Sequence, residues 1–189
     1  GGKQHNRSAY QSLSVTICPP HSTHRPKMIR EGKESDAAAM AEIYNHYVRT
    51  SPVIFSDRCL TAGEMADKLR RLGVGGRFPF LIAEEGGNVA GYAYAHHWQP
   101  DPVYDRTWEL TMYLDAQACG KGLGSRMFAM LIDECRERGA HALVSCVTEG
   151  NTACERMHDR AGFFLAGRMP EVGCKFGNYY ADVIYQLML

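Results

Sequence analysis

The sequence has no apolar run near the ~20 residues that a membrane-spanning helix requires, which excludes a helical integral membrane protein. No charged n-region, apolar h-region and small-residue cleavage site follow one another, so no secretory signal is expected. Seven cysteines are an odd number, and no two form a CxxC pair. A disulfide framework is therefore disfavoured, and reduced thiols in a cytoplasmic protein are expected. Residues 1–27 contain four basic side chains and no acid, whereas residues 28–189 hold 17 basic and 21 acidic ones. The folded part thus lacks the positive excess of a nucleic-acid binder, and neither nucleic acid nor membrane is expected as a partner. Cys18-x2-His21-x2-His24 offers three metal-ligand types, one short of a closed structural zinc site, so no metal is expected.

What is present is ordinary globular composition: 189 residues, 45% hydrophobic and 22% charged. That length predicts one domain, large enough to fold without disulfide or metal staples. Residues 1–27 show no periodicity and predict a disordered or appended extension, with the domain spanning 28–189. From there the periods alternate. Lys27–Glu31 reads as a strand, and Ser35-Asp36 as the cap of a helix with Ala39, Met40, Ile43, Tyr47 and Val48 on one face. Thr61-Ala-Gly-Glu64 is a capping box before Met65, Leu69 and Leu72. Pro79–Glu84 and Val89–His97 form a hairpin around Gly86-Gly87. Thr107–Asp115 alternates Trp108, Leu110, Met112 and Leu114 against Thr107, Glu109, Thr111 and Tyr113.

Leu123, Met127, Phe128, Leu131, Ile132 and Cys135 then stripe a helix ending near Gly139. Ala142–Thr148 is a strand, Asn151–Ala161 a helix, and Phe163–Val172 and Tyr180–Leu189 are strands. The order β-α-α-β-β-β-α-β-α-β-β predicts an α+β domain with a mixed sheet flanked by helices.

Chemistry concentrates at Cys119-Gly-Lys-Gly-Leu-Gly-Ser125, between a strand and a helix. Glycines let successive amide N–H groups line one concavity, and the following helix adds its unpaired first-turn N–H groups and dipole. That arrangement suits a phosphate or pyrophosphate; a plain strand-to-helix turn is the alternative. A P-loop would need GxxxxGK[ST], and a Rossmann site GxGxxG after the first strand of a βαβ unit. Neither string is found here.

The remaining pattern, [Gln/Arg]-x-x-Gly-x-[Gly/Ala], resembles the pyrophosphate loop of the GNAT superfamily of acetyl-CoA-dependent N-acetyltransferases. Met28-Ile-Arg30, Glu42-Ile-Tyr-Asn45, the Trp108-Glu-x-x-x-Tyr-Leu114 strand, Asn151-x6-His158-x3-Gly162-Phe163 and Lys175-Phe-Gly-Asn178 resemble its phosphinothricin and methionine sulfoximine N-acetyltransferases. The likeness covers 28–189. It implies a GNAT-type, mostly antiparallel sheet, acetyl-CoA as cosubstrate and a homodimer. It also implies direct transfer, in a ternary complex, to a small amino-acid-like amine.

By the same resemblance Met112, Tyr113 and Leu114 would hold the pantetheine like an added strand. Gly120, Lys121, Gly122, Leu123, Gly124 and Ser125 would hold the pyrophosphate, and Asn151 would make a further cofactor contact. A main-chain N–H near Met112 would serve the oxyanion. Glu109, on the polar strand face about 10 Å from that segment, is the expected general base. His158 would protonate the departing thiolate or orient the acceptor. Phe55, Tyr92 and Trp98 are candidate acceptor walls, and Lys175 a candidate carboxylate partner.

Two positions depart from the pattern: Cys119 replaces the opening Gln or Arg, and Gln99 stands where a basic residue is usual. Peptide N-terminal acetylation and a non-catalytic acyl-CoA sensor are the competing functions. A covalent route through Cys119 or Cys146 lacks a pairing base.

Overall fold

The computed structural model describes residues 27–189. The expected extension, Cys18, His21 and His24 lie outside the described residues, except that Lys27 already opens the first strand. Seven strands follow: β1 Lys27–Glu31, β2 Phe80–Glu85, β3 Asn88–His97, β4 Thr107–Leu114, β5 Ala142–Thr148, β6 Phe164–Lys175 and β7 Asn178–Met188. Four helices accompany them: α1 Ala37–Thr50, α2 Ala62–Leu72, α3 Leu123–Glu137 and α4 Thr152–Arg160. The strands form one sheet in the order β1-β2-β3-β4-β5-β7-β6. Every neighbouring pair is antiparallel except β4 with β5. The domain is α+β, as its element order predicts.

Strand alternation sorts the core into two layers. Trp108 and Leu110 of β4, Leu143 and Val147 of β5, and Val183 and Tyr185 of β7 point toward α3. Leu123, Met127, Leu131 and Cys135 of α3 meet them at 0% exposure, with Phe128 beside them. Burying each large side chain stabilises the fold by ~1.5–3 kcal/mol before chain entropy is deducted. On the opposite face Tyr92 and Tyr94 pack under Met40, Ile43 and Val48 of α1 and Met65 and Leu69 of α2. That second layer rests mainly on β2 and β3.

Two local signals behave differently. The Thr61–Glu64 capping box forms as predicted, with Thr61 Oγ1 accepting from Glu64 N–H at 3.2 Å and Glu64 Oε2 accepting from Thr61 N–H at 2.8 Å. The Ser35-Asp36 cap does not form, because a three-residue 3-10 turn, Glu34–Asp36, intervenes. The guanidinium of Arg30 donates to both Asp36 carboxylate oxygens at 2.9 and 2.8 Å, and Lys33 N–H donates to one at 2.8 Å. A charged bidentate partner outcompetes a helix amide for that carboxylate. Its pKa is accordingly lowered, chiefly by Arg30. Among the described residues no helix is long and apolar enough to cross a membrane.

Candidate active site

The parallel pairing of β4 with β5 extends over only three positions, Thr107↔Ala142, Trp108↔Leu143 and Glu109↔Val144. Beyond Glu109 the strands diverge, each still paired on its other side, with β3 and β7 respectively. Trp98 N–H donates to Thr107 C=O at 3.1 Å and Asp115 N–H to Ala90 C=O at 2.8 Å. Antiparallel alternation therefore turns the main-chain groups of the odd-numbered β4 residues toward β3. Those of Met112 and Leu114 face the gap. Tyr47 Oη donates to Leu114 C=O at 2.7 Å, which leaves Met112 N–H and C=O and Leu114 N–H directed at the opening. Tyr113 differs from the expectation: its main chain faces Tyr92 on β3, and its ring meets Tyr44, Tyr47 and Tyr92.

The mouth of the gap carries the glycine loop. After β4, Asp115 closes a short turn by accepting from Gln117 N–H at 2.8 Å and Ala118 N–H at 2.9 Å. Among the described residues no carbonyl accepts from the amides of Gly120 to Ser125; the next amide, Arg126, bonds Gly122 C=O at 3.2 Å. Gly120 and Gly122 adopt φ of 74° and 77°, which disfavour any side chain. A Cβ on Gly124 would sit 2.9 Å from Leu114 Cδ1, so glycine here lets α3 approach β4. A row of unpaired amides at a helix N-terminus fits the diphosphate of a nucleotide cofactor.

Lys121 Nζ lies 3.7 Å from Glu85 Oε2 beside this loop. Leu123 is fully buried and offers only its amide. Across the gap Asn151 follows β5, its side-chain oxygen accepting from Cys154 N–H at 3.3 Å to cap α4. The thiol of Cys119 donates to Asp115 C=O at 3.5 Å, and Tyr47 Oη lies 4.0 Å from it.

Glu109 occupies the last paired position before the strands part. Its side chain is 26% exposed, and His96 Nε2 stands 3.8 Å from Oε2. His96 Nδ1 lies 2.8 Å from His97 C=O; with its proton there, Nε2 faces the carboxylate. Burial raises the Glu109 pKa, Asp182 adds to the rise, and Lys68 opposes it. Burial pulls His96 and Lys68 the other way. A carboxylate with a raised pKa is better matched to proton abstraction near neutrality. Trp98, half-buried two residues beyond His96, falls on the same face of the hairpin by alternation.

Three expected site residues have other duties. Lys175 is buried, and its ammonium donates to Ser51 C=O at 2.8 Å, Ile54 C=O at 2.7 Å and Tyr47 C=O at 3.5 Å. All three of its donors secure the end of α1, so none is left for an acceptor carboxylate. Tyr92, 1% exposed, stacks on Tyr94 within the core and walls no opening. His158, also 1% exposed, is enclosed by Phe128, Phe163 and Tyr185. Its Nδ1 lies 2.8 Å from Cys154 C=O, and its Nε2 is buried without a partner. Burial lowers its pKa, so it is a neutral histidine on the core side of α4.

Phe55 is partly exposed and packs on Tyr180 and Gly173. With Arg49, Asp57 and Phe176 it lines a cavity of about 620 Å³ at the end of α1. None of Glu109, Met112 or the glycine loop borders that cavity, so the gap and its amides locate the chemistry better than this hollow does. Sequence reasoning missed Tyr47, whose hydroxyl seals Leu114, and Lys68 and Asp182 near Glu109. Each looks like an ordinary surface or core residue until the sheet order is known.

Comparison with known proteins agrees with this geometry. Residues 40–163 match the acetyltransferase (GNAT) family. The L-methionine sulfoximine/L-methionine sulfone acetyltransferase of Salmonella typhimurium is 37% identical over 85% of this chain and 94% of its own length. The phosphinothricin N-acetyltransferase of Streptomyces viridochromogenes is 35% identical over 82% of this chain and 84% of its own. Among solved structures, yncA of Salmonella typhimurium with its cofactor acetyl-CoA superposes with a TM-score of 0.79 at 35% identity, covering 86% of this chain and 94% of that one. With strands that part beside a cradle of unpaired amides, and with family and relatives matched over most of its length, the chain belongs to the GNAT family of acetyltransferases.

Proposed function

We propose that this acetyltransferase moves the acetyl group of acetyl-CoA directly to the amine of a small amino-acid-like acceptor, of the phosphinothricin, methionine sulfoximine or methionine sulfone class. The observation that carries the reading is the unpaired main chain of Met112 in the β4–β5 gap, next to the unpaired amides of Gly120–Ser125. In this reading those amides bind the diphosphate, Lys121 adds positive charge, and Leu114 N–H and Met112 C=O hold an extended pantetheine. Asn151 borders it from the β5 side.

Bound acetyl-CoA supplies an activated thioester carbonyl. Met112 N–H donates to that carbonyl oxygen as negative charge builds on it. Glu109 takes the proton from the acceptor's ammonium, directly or through one water, because a protonated amine has no lone pair to attack with. The nitrogen–acetyl bond forms and the carbon–sulfur bond breaks, leaving a thiolate. His158 lies too deep to protonate it, so solvent at the open mouth serves. Trp98 and Phe55 remain candidate contacts for the acceptor's side chain.

The relatives named for methionine sulfoximine, methionine sulfone and phosphinothricin support the acceptor class. Thiol release from acetyl-CoA is expected with those three amines and not with a panel of peptides bearing free N-termini. Release with peptides alone would replace this reading by N-terminal acetylation. Cofactor binding without release by any amine would replace it by an acyl-CoA sensor.

A further inference from the structure

The helices of the second core layer do not cover the whole sheet. On that side β5 and β7 present Val144, Cys146 and Thr148, and Asp182, Ile184 and Gln186, by alternation and register. Cys146 is exposed there, while Asp182 and Ile184 are half-buried. Glu109 belongs to the same face, because it pairs with Val144. The result is a shallow trough running from Glu109 across Cys146 to Asp182. At one end the α1–α2 connection closes over it, since Thr148 Oγ1 donates to Pro52 C=O at 3.1 Å.

The trough holds two carboxylates and a shortage of cations. No donor among the described residues makes a hydrogen bond to the carboxylate of either Glu109 or Asp182. The nearest basic groups to Glu109 are His96 at 3.8 Å and the more distant Lys68. Elsewhere in this fold withdrawn acids are paired: Asp36 and Glu84, both with Arg30. A partly desolvated carboxylate without a partner is costly unless a cation arrives. The incoming acceptor is such a cation before it loses its proton.

We propose that Asp182 is a specificity-determining residue which receives the acceptor's ammonium group across the trough from Glu109, so that the amine docks charged before Glu109 deprotonates it. The proposal rests on the functional reading above and deepens it. Asp182 touches the acceptor as a charged hydrogen-bond partner, while Glu109 alone accepts the proton. Hydroxy or des-amino analogues of the same acids lack the cation and gain nothing from Asp182. Burial raises the affinity of Cys146, Glu109 and Asp182 for protons, and neighbouring carboxylates add to the rise at Cys146 and Glu109.

The test is calorimetric binding of methionine sulfone, and of its α-hydroxy analogue, to the full chain saturated with coenzyme A. Asp182→Asn should weaken the amine by at least about tenfold, the loss of one charge-assisted hydrogen bond, and leave the hydroxy analogue unchanged. Asp182→Glu should restore part of the amine's advantage, which a merely structural role would not. Equal affinity of wild type and Asp182→Asn for the amine overturns the proposal. If Glu109→Gln is still slow in thiol release in that case, the functional reading stands without it. Failure of the wild-type complex to bind any amine of the class overturns both.

Discussion

At the scale of single residues, burial and charge assign duties that residue type leaves open. Glu109 and His158 are both titratable and both lie at motif positions. Glu109 stands where strands part, half-exposed and beside an imidazole; His158 stands inside an aromatic cage with one nitrogen unpartnered. Glu109→Gln should lower kcat by roughly 10²–10⁴-fold while calorimetry shows coenzyme A affinity unchanged. Because burial raises the carboxyl's pKa, kcat/KM should climb with pH through a value above that of an ordinary glutamate, and this limb should vanish in the variant.

His158 makes the opposite prediction about stability. Its folded pKa lies below its unfolded one, so the unfolded state takes the proton first. Stability should be complete above about pH 7 and fall as pH drops below ~6.5. His96 contributes in the same direction. Thermal melts of His158→Phe against wild type isolate the His158 share, and the variant's acid-side loss should be shallower.

Secondary elements bring these residues within reach of one another, and two close contacts set their placement. The N-terminus of α3 can lie against β4 because Gly124 has no side chain to strike Leu114. Gly124→Val should cost about 1–3 kcal/mol by overpacking. It should also weaken coenzyme A binding more than acceptor binding, since it moves the amides and leaves Glu109 in place. At the other end of the domain, Lys175 ties β6 to the last turn of α1 and the segment after it through the carbonyls of Tyr47, Ser51 and Ile54. Lys175→Met strips those carbonyls of their partner and should lower stability by about 1–3 kcal/mol or more, measured by denaturant titration. The acceptor's KM should move little, whereas a carboxylate-binding lysine would raise it sharply.

For the molecule as a whole, the sheet ends on β6, a long edge strand exposing Phe164, Leu165, Met169 and Val172. An apolar edge of that length invites pairing with another chain. We propose that it contributes to the homodimer implied by the family resemblance. Light scattering should give twice the 21.1 kDa chain mass, and Leu165→Lys should shift it toward the monomer without altering the coenzyme A site. A wild-type monomer would remove the dimer from the reading.

Local interactions made much of this legible from the chain alone. Periodicity located all seven strands and four helices, with ends displaced by a few residues where β6 and β7 run further into their hairpin. The capping box and the glycine loop are written in contiguous residues, so their geometry follows from neighbours in sequence. The Asp36 cap failed because Arg30, six residues earlier on β1, takes its carboxylate once the chain turns back between them, and the lysine and histidine motifs misled because only packing decides which way such side chains turn. Composition and short-range order thus determined the class of fold, the glycine loop and the strand that carries Glu109. Tertiary structure decided which even-numbered amides of β4 are unpaired, that Lys175 and His158 are buried, and that Asp182 shares a sheet face with Glu109. Those outcomes depend on strand order and divergence, in which residues as far apart in sequence as Glu109 and Asp182 share a surface that no local pattern encodes.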